Sequence, residues 1–145
     1  MTDGLILPDV EQPDAKPFWD GCARGELLVQ ACASCGQRRM PPRPMCPRCQ
    51  SLDARWDAMS GHGHVWSFVV PHPPLLAAYA ERAPYVVAVV TLDDDPSIRL
   101  VGGVEADHVE IGDALQVVFR QVDDGVWLPQ WVAPLRPTAS PERSA

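Results

Sequence analysis

The chain has no run of about eighteen uninterrupted apolar residues, the length a membrane-spanning helix requires. Its first ten residues hold no basic region followed by an apolar run, so no signal peptide is read there and a reducing, cytoplasmic setting is expected. Phosphate loops are missing too: Gly61-His62-Gly63 and Gly102-Gly103 lack the following helix and lysine that such a loop needs. No serine stands in a nucleophile-elbow setting, and Ser60 and Ser67 have no convincing base. Histidine is scarce, at four residues, and only His62 and His64 are close in sequence; a solvent-facing turn is the expected setting for that pair. The triplet Asp93-Asp94-Asp95 before Pro96 reads as a solvated hairpin end rather than an acid/base cluster. No catalytic residue is therefore assigned.

What the chain does have is a metal motif. Cys32-Ala-Ser-Cys35-Gly36 and Cys46-Pro-Arg-Cys49-Gln50 are two C-x-x-C knuckles at short range. Two residues between cysteines let both thiolates of one tight turn face a single ion, and the intervening segment brings the second turn opposite the first. With all four positions filled, Cys32, Cys35, Cys46 and Cys49 define a closed structural site for one zinc per chain. The same ligands serve rubredoxin-type iron, which metal analysis and a visible spectrum separate. Gly36 suits the positive φ of a knuckle turn, whereas Gln50 at the matching place costs roughly 1–2 kcal/mol if left-handed. The fifth cysteine, Cys22, has no partner at ligand spacing and is expected as a buried thiol.

At 145 residues and 46% hydrophobic, the chain has room for one core plus a small metal-stapled module. Sixteen prolines exclude long helices over most of it. Charge is divided unevenly: residues 22–57 carry six arginines against three acids, and residues 58–133 carry three arginines against ten acids. The overall charge of −7 leaves no basic stripe for a phosphate backbone, so neither nucleic acid nor membrane is expected as a partner.

Residues 17–30 form the best amphipathic helix, weakened by Gly21 and Gly25, with residues 27–30 open to an extended reading. From Met59 onward the pattern becomes β: residues 65–70, 85–92, 99–104, 115–122 and 126–132 are five runs rich in β-branched and aromatic side chains. Residues 105–113 read as a helical turn or an irregular link. Five short strands fit a small closed barrel of the OB type. The expected organisation is mainly β: a flexible arm over 1–16, helix plus rubredoxin-like ribbon over 17–57, a five-stranded OB barrel over 58–133 and a flexible tail over 134–145. Between the first two strands lies a proline-bracketed excursion, with Leu75, Leu76 and Tyr79 as a short apolar helix on the barrel rim.

The strings F-W-D-x-x-x-x-G-E-L-L-V-Q-A-C-x-x-C-G (residues 18–36), P-P-R-P-M-C-P-R-C (41–49) and S-G-H-G-H-V-W-S-F (60–68) resemble the zinc-ribbon/OB-fold family associated with acyl-CoA metabolism, over roughly residues 17–133. Gln50 departs from the small or turn-forming residue usual after the fourth cysteine, and His62 and His64 from the usual turn. The resemblance implies a noncatalytic accessory subunit. It would dock on a thiolase-like enzyme (thiolase, acyltransferase or steroid-CoA aldolase) in a hetero-oligomer, stabilise it and help shape the channel for an acyl-CoA thioester. Related modules accompany MaoC-like hydratases. Residues placed for a partner or CoA are Phe18 and Trp19 as aromatic anchors, Arg38, Arg39 and Arg43 as guanidinium donors, and Leu75, Leu76 and Tyr79 as apolar surface. A nucleic-acid-binding module is the alternative for this pair of folds, and an independent enzyme or electron carrier would need redox-active iron.

Overall fold

The computed structural model describes residues 4–134, so the tail expected over 134–145 falls, beyond Pro134, outside the described residues. Helix α1 spans Lys16–Arg24, with a proline in its first turn where the missing N–H breaks no bond. Gly25, at φ 78°, ends it. Its N–H donates to the Cys22 carbonyl at 3.1 Å and the Glu26 N–H to the Gly21 carbonyl at 2.8 Å, the paired bonds of a Schellman cap. The helix thus ends at Arg24, and residues 27–30 take the extended alternative, with Leu27 opening a strand. Phe18 and Cys22, one turn apart, face the core, and burial pushes the Cys22 thiol up to about 12.

Strand β1 is Leu27–Cys32, β2 is Arg38–Arg39 and β3 is Ala54–Met59. They form a three-stranded antiparallel sheet ordered β2-β1-β3, with Gln30 opposite Arg39 and Leu27 opposite Met59. Each knuckle lies at a strand end: the first follows β1 and returns as β2, and the second precedes β3.

Each of the five expected β runs is a strand: β4 His62–Val69, β5 Val86–Leu92, β6 Arg99–Val104, β7 Ala114–Asp123 and β8 Val126–Val132. They close into a barrel ordered β4-β5-β6-β8-β7, with β7 returning to β4. The β6 and β8 strands run parallel through the pairs Gly103 with Gln130 and Val104 with Trp131. This is the five-stranded OB barrel. In β5 alternate residues are buried, as a strand with one face on the core requires. Strand β4 begins earlier than expected, so His62 and His64 lie in a strand rather than a turn, on its exposed face, alternating with buried Gly63 and Val65. Residues 105–113 contain no helix and form an irregular link that buries Val109.

One core joins ribbon and barrel. Phe18, Cys22, Leu27, Val29 and Met59 pack with Val65, Val90, Leu115, Val117 and Trp131 in a single cluster. Polar bonds fasten the same junction. Arg38 of the ribbon pairs with Asp57 of β3 at 2.9 Å and with Asp95, between β5 and β6, at 3.4 Å. Asp94 accepts from the Ser60 hydroxyl at 2.5 Å, and His64 Nδ1 lies 2.7 Å from Asp93. Of the acidic triplet expected as a solvated hairpin end, Asp95 clasps the ribbon to the barrel, Asp94 holds the Ser60 connection between them, and Asp93 pairs with His64 within the barrel. The segment expected as a flexible arm, where described, runs along the barrel mouth: the Ile6 N–H donates to the Tyr79 hydroxyl at 3.2 Å. The rim helix is α2, Ala77–Ala80.

Candidate functional site

The two knuckles are near copies of each other in backbone geometry. The Cys32 N–H donates to the Gln37 carbonyl and the Cys46 N–H to the Ser51 carbonyl, both at 2.9 Å. The Gly36 N–H returns to the Cys32 carbonyl at 3.0 Å, and the Gln50 N–H to the Cys46 carbonyl at 2.9 Å. The fifth residue of each loop is left-handed, Gly36 at φ 76° and Gln50 at φ 63°. Gln50 is thus the strained member of the pair, the one described non-glycine residue with positive φ.

These turns bring the four sulfurs together: Cys32 Sγ lies 3.5 Å from Cys49 Sγ, Cys35 Sγ lies 3.6 Å from Cys46 Sγ, and all four fall within 4.8 Å of one another. A tetrahedron with metal–sulfur bonds of about 2.3 Å has edges of about 3.8 Å, so the donors fit zinc. The electrostatics fit as well. The Cys35 N–H, at 3.4 Å from Cys32 Sγ, and then the Ser34 N–H lower the Cys32 thiol to about 6. The Cys49 and Arg48 N–H groups likewise lower Cys46. At Cys49 the Ser51 N–H favours the thiolate, but hydrogen bonding with the Cys32 sulfur, then burial and the sulfurs of Cys35 and Cys46, together outweigh it and push the thiol up to about 12. Four sulfurs this close resist ionising together unless a cation neutralises them. The site binds one structural zinc through four protein ligands. Among the described residues these cysteines are the only group of three or more His, Cys, Asp or Glu placed to hold a metal.

The residues expected to meet a partner or CoA divide by environment. Phe18 and Arg39 are enclosed, at 5% and 6% exposed. The Arg39 guanidinium donates to the Arg43 carbonyl at 3.3 and 3.1 Å, and the Arg43 N–H donates to Gln30 Oε1 at 2.8 Å, so these residues brace β1 and β2 from within. Arg38 is engaged in the junction clasp. Trp19 is half-buried, edge-on to Phe18 with ring centroids 4.8 Å apart, and borders a shallow hollow with Met40, Pro41 and Val101. Arg43 and Leu76 are exposed, while Leu75 and Tyr79 are half-buried.

Two features escaped the sequence reading. The Asp57–Arg38–Asp95 bridge joins residues far apart in the chain and leaves no local signal. Burial would raise the Asp57 carboxyl, but Arg38 and Arg55 hold it below its ordinary range; the Ser97 hydroxyl and then Arg38 do the same for Asp95. The other feature is Trp66, 52% exposed on the outer face of β4 with the Arg99 guanidinium 4.0 Å above its ring. Period-two alternation with buried Val65 would have placed it outward.

A closed four-cysteine ribbon fused through a shared core to an OB barrel defines the class, a zinc-ribbon/OB-fold protein. Residues 19–53 match the family described as ChsH2, rubredoxin-like zinc ribbon domain, and residues 56–120 match ChsH2, C-terminal OB-fold domain. A solved structure named Ltp2-ChsH2(DUF35) aldolase is similar at a TM-score of 0.77 and 32% identity, over 87% of this chain and 98% of that one. A DUF35 domain-containing scaffold protein of Methanothermobacter thermautotrophicus is 33% identical over 109 residues, covering 71% of this chain and 81% of that protein. The probable enoyl-CoA hydratase alpha subunit of Thermomonospora curvata is 36% identical over 133 residues, which are 88% of this chain and 39% of that protein. The chain belongs to the DUF35 family of ChsH2-type zinc-ribbon/OB-fold proteins. It spans about two-fifths of the length of the hydratase subunit it matches.

Proposed function

We propose that this chain is a noncatalytic accessory subunit that docks on a thiolase-like enzyme, stabilises it and helps shape its channel for a CoA thioester. The observation that supports this reading is the likeness to the ChsH2(DUF35) structure, which extends over nearly all of that chain and carries a name shared with Ltp2 and an aldolase activity. The DUF35 relative named as a scaffold points the same way. In the hydratase-named relative the matching region is a minor part of a longer protein, which fits a module that accompanies acyl-CoA enzymes. A reducing, cytoplasmic compartment suits four thiolates held on zinc.

Trp19, Arg43, Leu75, Leu76 and Tyr79 are the residues proposed to face the partner or the CoA, since the chain leaves them wholly or partly exposed and without a bond that ties them into the ribbon junction. Apolar side chains exposed on a rim are surface to bury, and a standard interface of about 1,600 Å² would order loops of a neighbouring enzyme without contributing a catalytic group. Co-expression with the thiolase-like enzyme of an adjacent reading frame, followed by size exclusion and zinc analysis, tests the reading. Zinc should co-elute with both proteins in one peak. Separate elution at micromolar concentration would sink it.

A further inference from the structure

Trp19 on α1 and Tyr79 on α2 lie at opposite ends of one sheet face. Val87 and Gly103 border the hollow at Tyr79, and Arg99 and Val101 border the one at Trp19. Strand register joins the two ends: on β5, Val87 stands between Val69 of β4 and Gly103 of β6, and Val89 between Ser67 and Val101. Buried Val86, Ala88 and Val90 alternate with these residues, so Val69, Val87, Val89 and Val101 share the outer face of the barrel. The β4–β5 ladder slips between Val65 and Ser67, and the extra residue, Trp66, is turned out beside them. Val69 and Val101 are 58% and 60% exposed. With Trp66 and the half-buried valines they make an apolar patch on the order of 400 Å², the size that marks an interaction surface.

Charge indicates what covers it. Arg99 is exposed on this face, its guanidinium over Trp66, and has no carboxylate within ion-pair distance among the described residues, in a chain of net charge −7. Asp9, across the hollow at Trp19, accepts from the Glu11 N–H at 3.1 Å instead. An apolar stripe with one unmatched guanidinium is complementary to an apolar segment that carries a carboxylate. A second copy of the chain fits less well, because a two-fold contact would present the same stripe, with its guanidinium and no acid among Trp66, Val69, Val87, Val89 and Val101. We propose that the outer face of β4, β5 and β6, from Tyr79 to Trp19, is the surface on which the thiolase-like enzyme docks, with an acidic side chain of that enzyme opposite Arg99. This rests on the accessory-subunit reading and names the surface that reading requires.

The test titrates the full-length zinc-loaded chain against the thiolase-like enzyme of an adjacent reading frame, and sediments the chain alone. Val101→Asp should weaken association at least 100-fold, by setting a charge in the middle of the stripe. Arg99→Glu should weaken it at least tenfold and flatten its salt dependence. Leu52→Asp, at a side chain 73% exposed on the ribbon, should stay within about twofold of the parent. Arg99→Glu alters only an exposed head group and carries the test if Val101→Asp lowers the urea midpoint. A parent chain that binds the enzyme no better than Arg99→Glu and Val101→Asp would overturn this face and leave the accessory-subunit reading standing, as would binding lost in Leu52→Asp alone. A parent chain that does not bind the enzyme at all would overturn both. Self-association of the chain that Val101→Asp abolishes would give the face to a second copy and overturn the proposal.

Discussion

Replacing Cys46 by serine should release the second knuckle and leave the barrel standing. Between residues 43 and 53, Cys46 is the only buried side chain, and Met45 and Leu52 are 49% and 73% exposed. Ordering eleven backbone positions costs on the order of 10–20 kcal/mol. Burial of one small thiol returns only about 1–2 kcal/mol. Structural zinc contributes about 10–16 kcal/mol in small ribbons, which is the size of the deficit. The segment is therefore held by the metal. By contrast, Leu27, Val29 and Met59 are part of the main core and keep β1 and β3 in place. Hydrogen exchange should show residues 43–53 of Cys46→Ser exchanging at least 100-fold faster, with β5 amides within about threefold of the parent, and zinc well below one per chain. Full zinc content with unchanged protection over residues 43–53 would mean that packing, not the metal through Cys46, holds the segment.

Gln50→Gly removes a left-handed glutamine, worth about 1–2 kcal/mol, against about 0.5–1 kcal/mol of added backbone entropy. Zinc affinity in chelator competition should rise about twofold, and a weaker site would contradict the strain argument. Asp57, Asp94, Asp95 and Glu105 are all held below their ordinary range in the fold. A depressed carboxylate stabilises fully above its unfolded value of about 4 and is lost as pH falls through the lower folded value. The urea midpoint should therefore hold between pH 7 and 5 and fall below about pH 4; a rise on acidification would be the wrong sign. Asp95→Asn should cost about 0.5–1 kcal/mol and flatten part of that acid limb, because Arg38 keeps Asp57 as its other partner. Leu76→Asp, at a side chain 62% exposed, should leave urea stability unchanged but weaken association with the thiolase-like enzyme.

The metal site and the barrel were legible because their signals are local. Ligand spacing fixes a knuckle within four residues, and β-branched runs between turns fix strands one at a time; even the left-handed Gln50 followed from its place after the fourth cysteine. The helix end was less so, since hydrophobic spacing continued past Gly25 while the cap depends on its φ. Arg38, Arg39 and Arg43 looked alike on a basic module. Register separates them: Arg39 sits opposite Gln30 and is enclosed, Arg38 reaches two acids 19 and 57 residues away, and Arg43 stays at the surface. The hollow lined by Leu5, Tyr79, Val104 and Leu128 is likewise a meeting of residues 5–7, 79–87 and 103–130, which no window of sequence brings together.

The chemistry is proposed to belong to a partner that works poorly without this chain. The direct measurement is acyl-CoA turnover by three samples matched in concentration: the purified zinc-loaded chain, the thiolase-like enzyme alone, and the two co-purified. No turnover above background is expected for the chain, and a gain of at least tenfold for the complex over the enzyme alone. Robust thioester cleavage by the chain by itself, or an enzyme equally active in its absence, would contradict it.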